Sequence, residues 1–243
     1  MTLKKKKRKR ETELQILLPV YNEAAHIEKT LKDIDLNLKK NLINYQFIIS
    51  EDGSNDGTKN ILKKLKHKYN FILISEHTRK GYSKAVMDGI FKASKNYLMI
   101  LDSDGQCDPK EITRFWQHRK NFDLICGNRI DRKDFLYRKI FSQLAYFIYN
   151  LLFRVPLKDP SYACLLMNQK VYKSLRGYKV LCYHGFFWEF NARAKKKNFS
   201  FKEIDVNHKL RKSGDTKIYT YRKLPFIAIK HFFAFIKIRF FIK

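Results

Sequence analysis

Asp102 and Asp104 place two carboxylates on either side of Ser103, directly after the apolar run Tyr97-Leu98-Met99-Ile100-Leu101. A chain that leaves a buried strand and turns can bring both side chains to one point. There, a hard cation such as Mg²⁺ or Mn²⁺ takes oxygen ligands and bridges to diphosphate oxygens. Such an ion neutralises a departing diphosphate as a Lewis acid. Two acids in a turn are often only solvated or helix-capping groups, so it is the position after a buried strand that marks this pair.

A second acidic run, Glu51-Asp52-Gly53-Ser54-Asn55-Asp56-Gly57-Thr58, follows Phe47-Ile48-Ile49-Ser50. Its glycines permit positive φ, and Asp56 or Thr58 can cap the next helix. A plain turn into a helix explains those features but not Glu51 and Asp52. A carboxylate at Asp52 could accept an N–H from a nucleobase. A third group, Arg211-Lys212-Ser213-Gly214-Asp215-Thr216-Lys217, sets cations around a glycine and reads as a phosphate clamp or as a solvated basic loop.

The elements that must position these groups alternate. Apolar strands at 14–20, 47–50, 71–75 and 97–101 are interleaved with helical spacing over 23–38, 58–69 and 83–93. That alternation predicts an α/β fold with a mainly parallel central sheet and flanking helices, its ligands outside the carboxyl ends of the strands. The second half is less regular, with strands expected at 123–126, 163–167 and 199–206 and helices at 140–153 and 186–195.

Lys and Arg number 51 against 23 Asp and Glu, a net charge of +28 that attracts any polyanion. Binding of nucleic acid explains the charge but leaves the ordered acidic motifs unexplained, so nucleic acid is not the expected partner. Cys107, Cys126, Cys164 and Cys182 lack zinc-ligand spacing and read as reduced thiols. The basic run at 4–10 has no apolar stretch after it and no segment reaches spanning length, so a cytoplasmic location without a transmembrane helix is expected.

LPVYNE (18–23), EDGSNDGT (51–58), RKGYSKAVMDGI (79–90) and LDSDGQCDP (101–109) resemble, in order and spacing, the motifs of family 2 inverting glycosyltransferases with the GT-A fold. GNR (127–129), Arg138 with Ser142, DPSYACLLMN (159–168) and the stretch 186–217 resemble the polyprenyl-phosphate glycosyltransferases, which include dolichyl-phosphate mannose synthases and undecaprenyl-phosphate sugar transferases. The resemblance implies a GDP- or UDP-linked sugar donor, a lipid phosphate acceptor and Mg²⁺ or Mn²⁺. It implies that Pro19, Tyr21, Glu23, Asp52, Lys80, Asp102 and Ser103 bind the nucleotide sugar. Asp102, Asp104 and Gln106 would surround the metal, and Arg129, Arg138, Arg211 and Lys217 would face phosphates. Glu51 stands where the family usually has Asp, Ala163 where it often has Gly, and Thr216 where Ser is common.

A lipid phosphate is largely ionised near neutral pH and needs no catalytic base. A sugar hydroxyl of a cell-envelope polysaccharide would need one. Glu189 is the candidate, with an ordinary ion pair to Arg193 at i+4 as its alternative. Peripheral contact with the cytoplasmic membrane face is expected of residues 224–243, where Phe and Ile dominate and Lys223, Lys230 and Lys237 recur every seven residues. The expected organisation is a basic tail over 1–13, a catalytic domain over 14–220 and an interfacial helix over 221–243.

Overall fold

The computed structural model describes residues 13–130, 136–207 and 224–242. Their elements run β1 (Leu14–Val20), α1 (Ile27–Lys40), β2 (Tyr45–Glu51), α2 (Thr58–Leu65), β3 (Phe71–Ser75), α3 (Tyr82–Lys92), β4 (Tyr97–Ile100), α4 (Pro109–His118), β5 (Leu124–Arg129), α5 (Leu136–Phe153), β6 (Leu165–Asn168), α6 (Gln169–Leu175), α7 (Phe186–Lys196), β7 (Phe201–Val206) and α8 (Leu224–Phe240).

Seven strands form one sheet in the order β3-β2-β1-β4-β6-β5-β7. β1 is parallel to β2 and β4, β2 to β3, and β5 to β7, while β6 runs antiparallel to both β4 and β5. The sheet is therefore mostly parallel, with one reversed strand. All seven residues of β1 are buried, as a central strand covered on both faces requires. Its one polar residue, Gln15, has partners at both ends of its amide: the NH2 group donates to Gln46 and the carbonyl accepts from the Ser94 and Lys95 N–H groups.

Helices cover both faces. Ile27 and Leu31 of α1, Leu62 of α2 and Phe115 of α4 fill one apolar layer. Val86 and Ile90 of α3, Tyr149 and Phe153 of α5, Phe190 of α7 and Phe235 of α8 fill the other. α3 lies so close to β1 that a Cβ at Gly89 would sit 2.1 Å from Leu17 Cδ1.

Two helices go beyond the sequence reading. α4 starts where the Asp108 carboxylate accepts the Lys110 N–H and Pro109 takes the first helical position. α6 is capped in the same way by Asn168, which accepts from Val171. α8 also departs from a basic amphipathic helix. One stripe, Ile227, Ala234, Phe235 and Ile238, is buried in the core, while Phe226, Ile229, Phe233 and Phe240 are exposed beside Lys230 and Lys237. Lys223 and the basic tail at 4–10 lie outside the described residues.

Candidate active site

The order β3-β2-β1-β4 makes the carboxyl ends of β1, β2 and β4 neighbours, and the three acidic motifs begin there. In register, Val20 stands opposite Glu51 and Leu17 opposite Ile100. The loops are bonded to one another. The Asn22 N–H donates to Ser54, the Glu23 N–H to Thr58 and the Ala24 N–H to Asp56, while Asn22 and Asn55 exchange two bonds. The second half of the 51–58 motif thus holds the loop after β1.

Glu51 is fully buried and acts as an internal brace, accepting from the Ser54 N–H and the Ser75 hydroxyl, with Lys59 at 3.8 Å. Asp52 accepts from the Lys80 N–H at 2.6 Å and the Gly81 N–H at 2.9 Å. Gly53 has φ +73°, and a Cβ there would lie 2.5 Å from the Thr78 carbonyl carbon, so the loop after β2 is pressed against the one before α3. The Lys80 ammonium bridges Glu76 and Asp88. Arg79, which the sequence reading did not single out, stacks over the Tyr21 ring at 4.0 Å and approaches Asp52 to 3.9 Å.

Ser103 is buried with its hydroxyl donating to the Pro19 carbonyl, and Thr30 donates to the Ser103 carbonyl. These bonds fix the turn that carries Asp102 and Asp104. Asp102 accepts from the Tyr82 hydroxyl at 2.7 Å, and Asp104 accepts from the Gln106 N–H at 3.1 Å. Burial first, and the Asp104 carboxylate second, push the Asp102 carboxyl up to about 7, with Arg129 opposing and Glu23 adding to the rise. Among the described residues no group of three His, Cys, Asp or Glu side chains is gathered for a metal. Two neighbouring carboxylates whose charges oppose each other nevertheless suit a hard divalent cation that takes its remaining ligands from diphosphate and water.

Arg129 ends β5 and meets Asp159 in a two-point contact, Nε to Oδ2 at 2.6 Å and NH2 to Oδ1 at 3.0 Å. NH2 also donates to the Ser161 hydroxyl, and the guanidinium lies 4.8 Å from the Tyr162 ring centroid. Asp159 lies 30 residues from Arg129, and no local pattern announces the pair. Arg138 falls on α5 with its side chain outside the described residues, as do Arg211 and Lys217 altogether.

Glu189 is buried on α7, and both of its oxygens are engaged. Oε2 accepts from the Leu181 and Cys182 N–H groups, and Oε1 from Arg193. The i+4 ion pair is present.

The sequence profile described as Glycosyl transferase family 2 matches residues 15–176. The chain is 25% identical over 239 residues to a dolichol-phosphate mannosyltransferase of Pyrococcus furiosus, covering 92% of this chain and 64% of that one. It is 34% identical over 131 residues to a poly-beta-1,6-N-acetyl-D-glucosamine synthase of Staphylococcus aureus, covering 52% of this chain and 31% of that one. It thus spans less than two thirds of the length of these relatives. Among solved structures, mannosyl-3-phosphoglycerate synthase from Rubrobacter xylanophilus superposes with a TM-score of 0.69 at 13% identity, covering 92% of this chain and 73% of that one. Glucosyl-3-phosphoglycerate synthase from Mycobacterium tuberculosis, solved with Mn²⁺, UDP-glucose and glycerol 3-phosphate, gives 0.67 at 14%, covering 94% and 80%. At such identities the likeness is one of fold, and that fold is GT-A. With two thirds of its length matched by the profile and its acidic motifs gathered at the strand ends, the chain belongs to glycosyl transferase family 2.

Proposed function

We propose that the protein transfers a sugar from a GDP- or UDP-linked donor to the phosphate of a polyprenyl lipid, with inversion, at the cytoplasmic membrane face. The observation that carries the reading is Arg129, held by Asp159 at the carboxyl end of β5 within electrostatic reach of Asp102. A fixed guanidinium beside the metal-type carboxylates suits an anionic acceptor approaching an anionic donor. The alignment with the Pyrococcus dolichol-phosphate mannosyltransferase along 92% of the chain supports a polyprenyl phosphate as that acceptor.

In this reading Pro19, Tyr21, Glu23 and Asp52 receive the nucleoside, and Arg79 can cover a base from the Tyr21 side. Asp102 and Asp104, with Gln106 beside them, would hold Mg²⁺ or Mn²⁺, which supplies charge neutralisation for the leaving diphosphate. Arg129 aligns the acceptor phosphate for in-line attack at the anomeric carbon. Arg138, Arg211 and Lys217 are further phosphate contacts in this reading. Acceptor phosphate oxygens are already anionic, so no side chain has to remove a proton. The buried, fully bonded Glu189 favours this route over a hydroxyl acceptor.

Membrane contact is assigned to α5 and α8, which pack together through Tyr149, Phe153 and Phe235. Leu144, Phe147 and Leu151 of the first and Phe226, Ile229 and Phe233 of the second are exposed, and large apolar side chains grouped on packed helices suit contact with a membrane surface. Among the described residues no helix is long and apolar enough to cross a membrane, so this face would lie in the interface. A cavity of about 640 Å³ along α5, lined by apolar Phe147, Leu151 and Leu157 and by charged Arg154, Lys158 and Glu203, offers room for the first lipid units beside their phosphate.

The test is transfer of labelled sugar from a panel of GDP- and UDP-sugars to undecaprenyl or dolichyl phosphate with Mg²⁺ or Mn²⁺. A labelled lipid that disappears with EDTA and with Asp104→Ala is expected. Consumption of donor with unlabelled lipid overturns the acceptor assignment.

A further inference from the structure

Glu203 lies on β7, where alternation sends Ile204 and Val206 into the core and leaves Glu203 on the opposite face, level with Cys126 of β5. Its Oε1 accepts the Lys158 N–H at 2.6 Å and the Asp159 N–H at 3.2 Å. These amides begin the turn that presents Asp159 to Arg129, and Ser161 closes the same turn by donating to Asp159 Oδ1 at 2.7 Å. The connection therefore runs from a carboxylate on the sheet, through two backbone amides, to a carboxylate that grips a guanidinium at two points.

We infer that Glu203 is a positioning residue for the acceptor phosphate, acting on Arg129 through the 158–159 backbone and Asp159; this rests on the acceptor reading above. The geometry requires an acceptor oxygen at this point. A planar guanidinium is directional only while its partner is fixed, because a two-point contact fails when one carboxylate oxygen swings away. Arg129 and Asp159 have side chains only 16% and 10% exposed, so water replaces a lost partner poorly. A partly buried carboxylate is costly to keep, and burial raises the proton affinity of Glu203 above the ordinary range while the two amides oppose that rise. A neutral acceptor can hold the amides as well, so the inference concerns the oxygen and not the charge.

Glu203→Ala and Glu203→Asp remove or retract that oxygen, whereas Glu203→Gln keeps it. In the transfer assay, the alanine and aspartate variants are expected to raise the KM for the lipid phosphate by on the order of ten-fold while the KM for the nucleotide sugar stays put, and the glutamine variant to resemble the unaltered protein. Donor and acceptor constants worsening together, or a glutamine variant as impaired as alanine, would mark a general loop brace and overturn the inference. A second readout needs no substrate: hydrogen exchange of the Arg129 Nε–H by NMR, expected to quicken in Glu203→Asp and to stay slow in Glu203→Gln. Unchanged exchange in Glu203→Asp sinks the Glu203 assignment even if transfer occurs. Absent lipid labelling by the unaltered protein sinks the acceptor reading instead, leaving exchange to decide whether Glu203 holds Arg129.

Discussion

Tyr82, the first residue of α3, donates its hydroxyl hydrogen to Asp102, just beyond β4, across 2.7 Å. This bond favours the ionised carboxylate against the burial and the Asp104 charge that work the other way. Tyr82→Phe keeps the ring, which packs edge-on to Phe187 with centroids 6.3 Å apart, and removes only the donor. A hydrogen bond to a charged group is worth roughly 1.5–3 kcal/mol. The metal concentration giving half-maximal activity should therefore rise by on the order of ten-fold, with a thermal midpoint close to that of the unaltered protein. Metal titration of the transfer rate checks it, and an unshifted curve would remove Tyr82 from the site.

Glu189→Gln should act on stability first. The substitution leaves Arg193 charged, with its side chain 10% exposed, without its carboxylate partner. Breaking a buried pair from one side costs about 3–5 kcal/mol. The expected outcome is a much lower denaturation midpoint, with a pH–rate profile of the same shape in whatever fraction stays folded. Loss of the low-pH limb in a well-folded variant would restore Glu189 as a base.

Stability should fall in mild acid through His231. Burial, followed by the neighbouring His184, lowers its pKa from the ordinary 6.5 to about 4. The unfolded chain then binds the proton more readily, so stability is complete above about pH 6.5 and is lost as pH falls toward 4, by on the order of 2 kcal/mol at pH 5. His231 meets the backbone of Gly185, where a Cβ would stand 2.7 Å from its ring, so the loss should loosen α8 from α7. Denaturant melts at pH 7 and pH 5 check this, and His231→Gln should flatten the difference.

Phe147→Glu combined with Phe233→Glu tests the membrane face. Both side chains are 66% exposed, so the melting midpoint should hardly move. Sedimentation with vesicles rich in anionic lipid should fall several-fold, since two aromatic contacts are lost and two repelling charges gained. Retained sedimentation would place the membrane contact elsewhere on the chain.

The sheet was legible in the sequence because its parallel strands are short apolar runs ended by polar turns, and the acidic motifs sit at those ends. β6 is apolar too, but its reversed direction depends on pairing with β4 and β5, which local pattern does not encode. α4 had a readable signal in Asp108-Pro109, a cap followed by a proline at the first helical position. The roles of individual acids were harder to read. Glu51 is a brace because Ser75 and Lys59 come to it, and the Lys80 ammonium is engaged by Glu76 and Asp88. Asp159 gained its meaning only from Arg129, 30 residues away.

The reversed strand β6 has a consequence for how such a molecule can diversify. Lying between β4 and β5, it separates the strands that carry the acidic motifs from the pair β5 and β7 that carries Arg129 and Glu203. Because it runs backwards, the 159–164 segment leading into it opens onto the same edge as the Asp102 turn. Under the proposed function, changes in the β5–β7 half would retune the acceptor side while the acidic loops after β1, β2 and β4 are inherited intact.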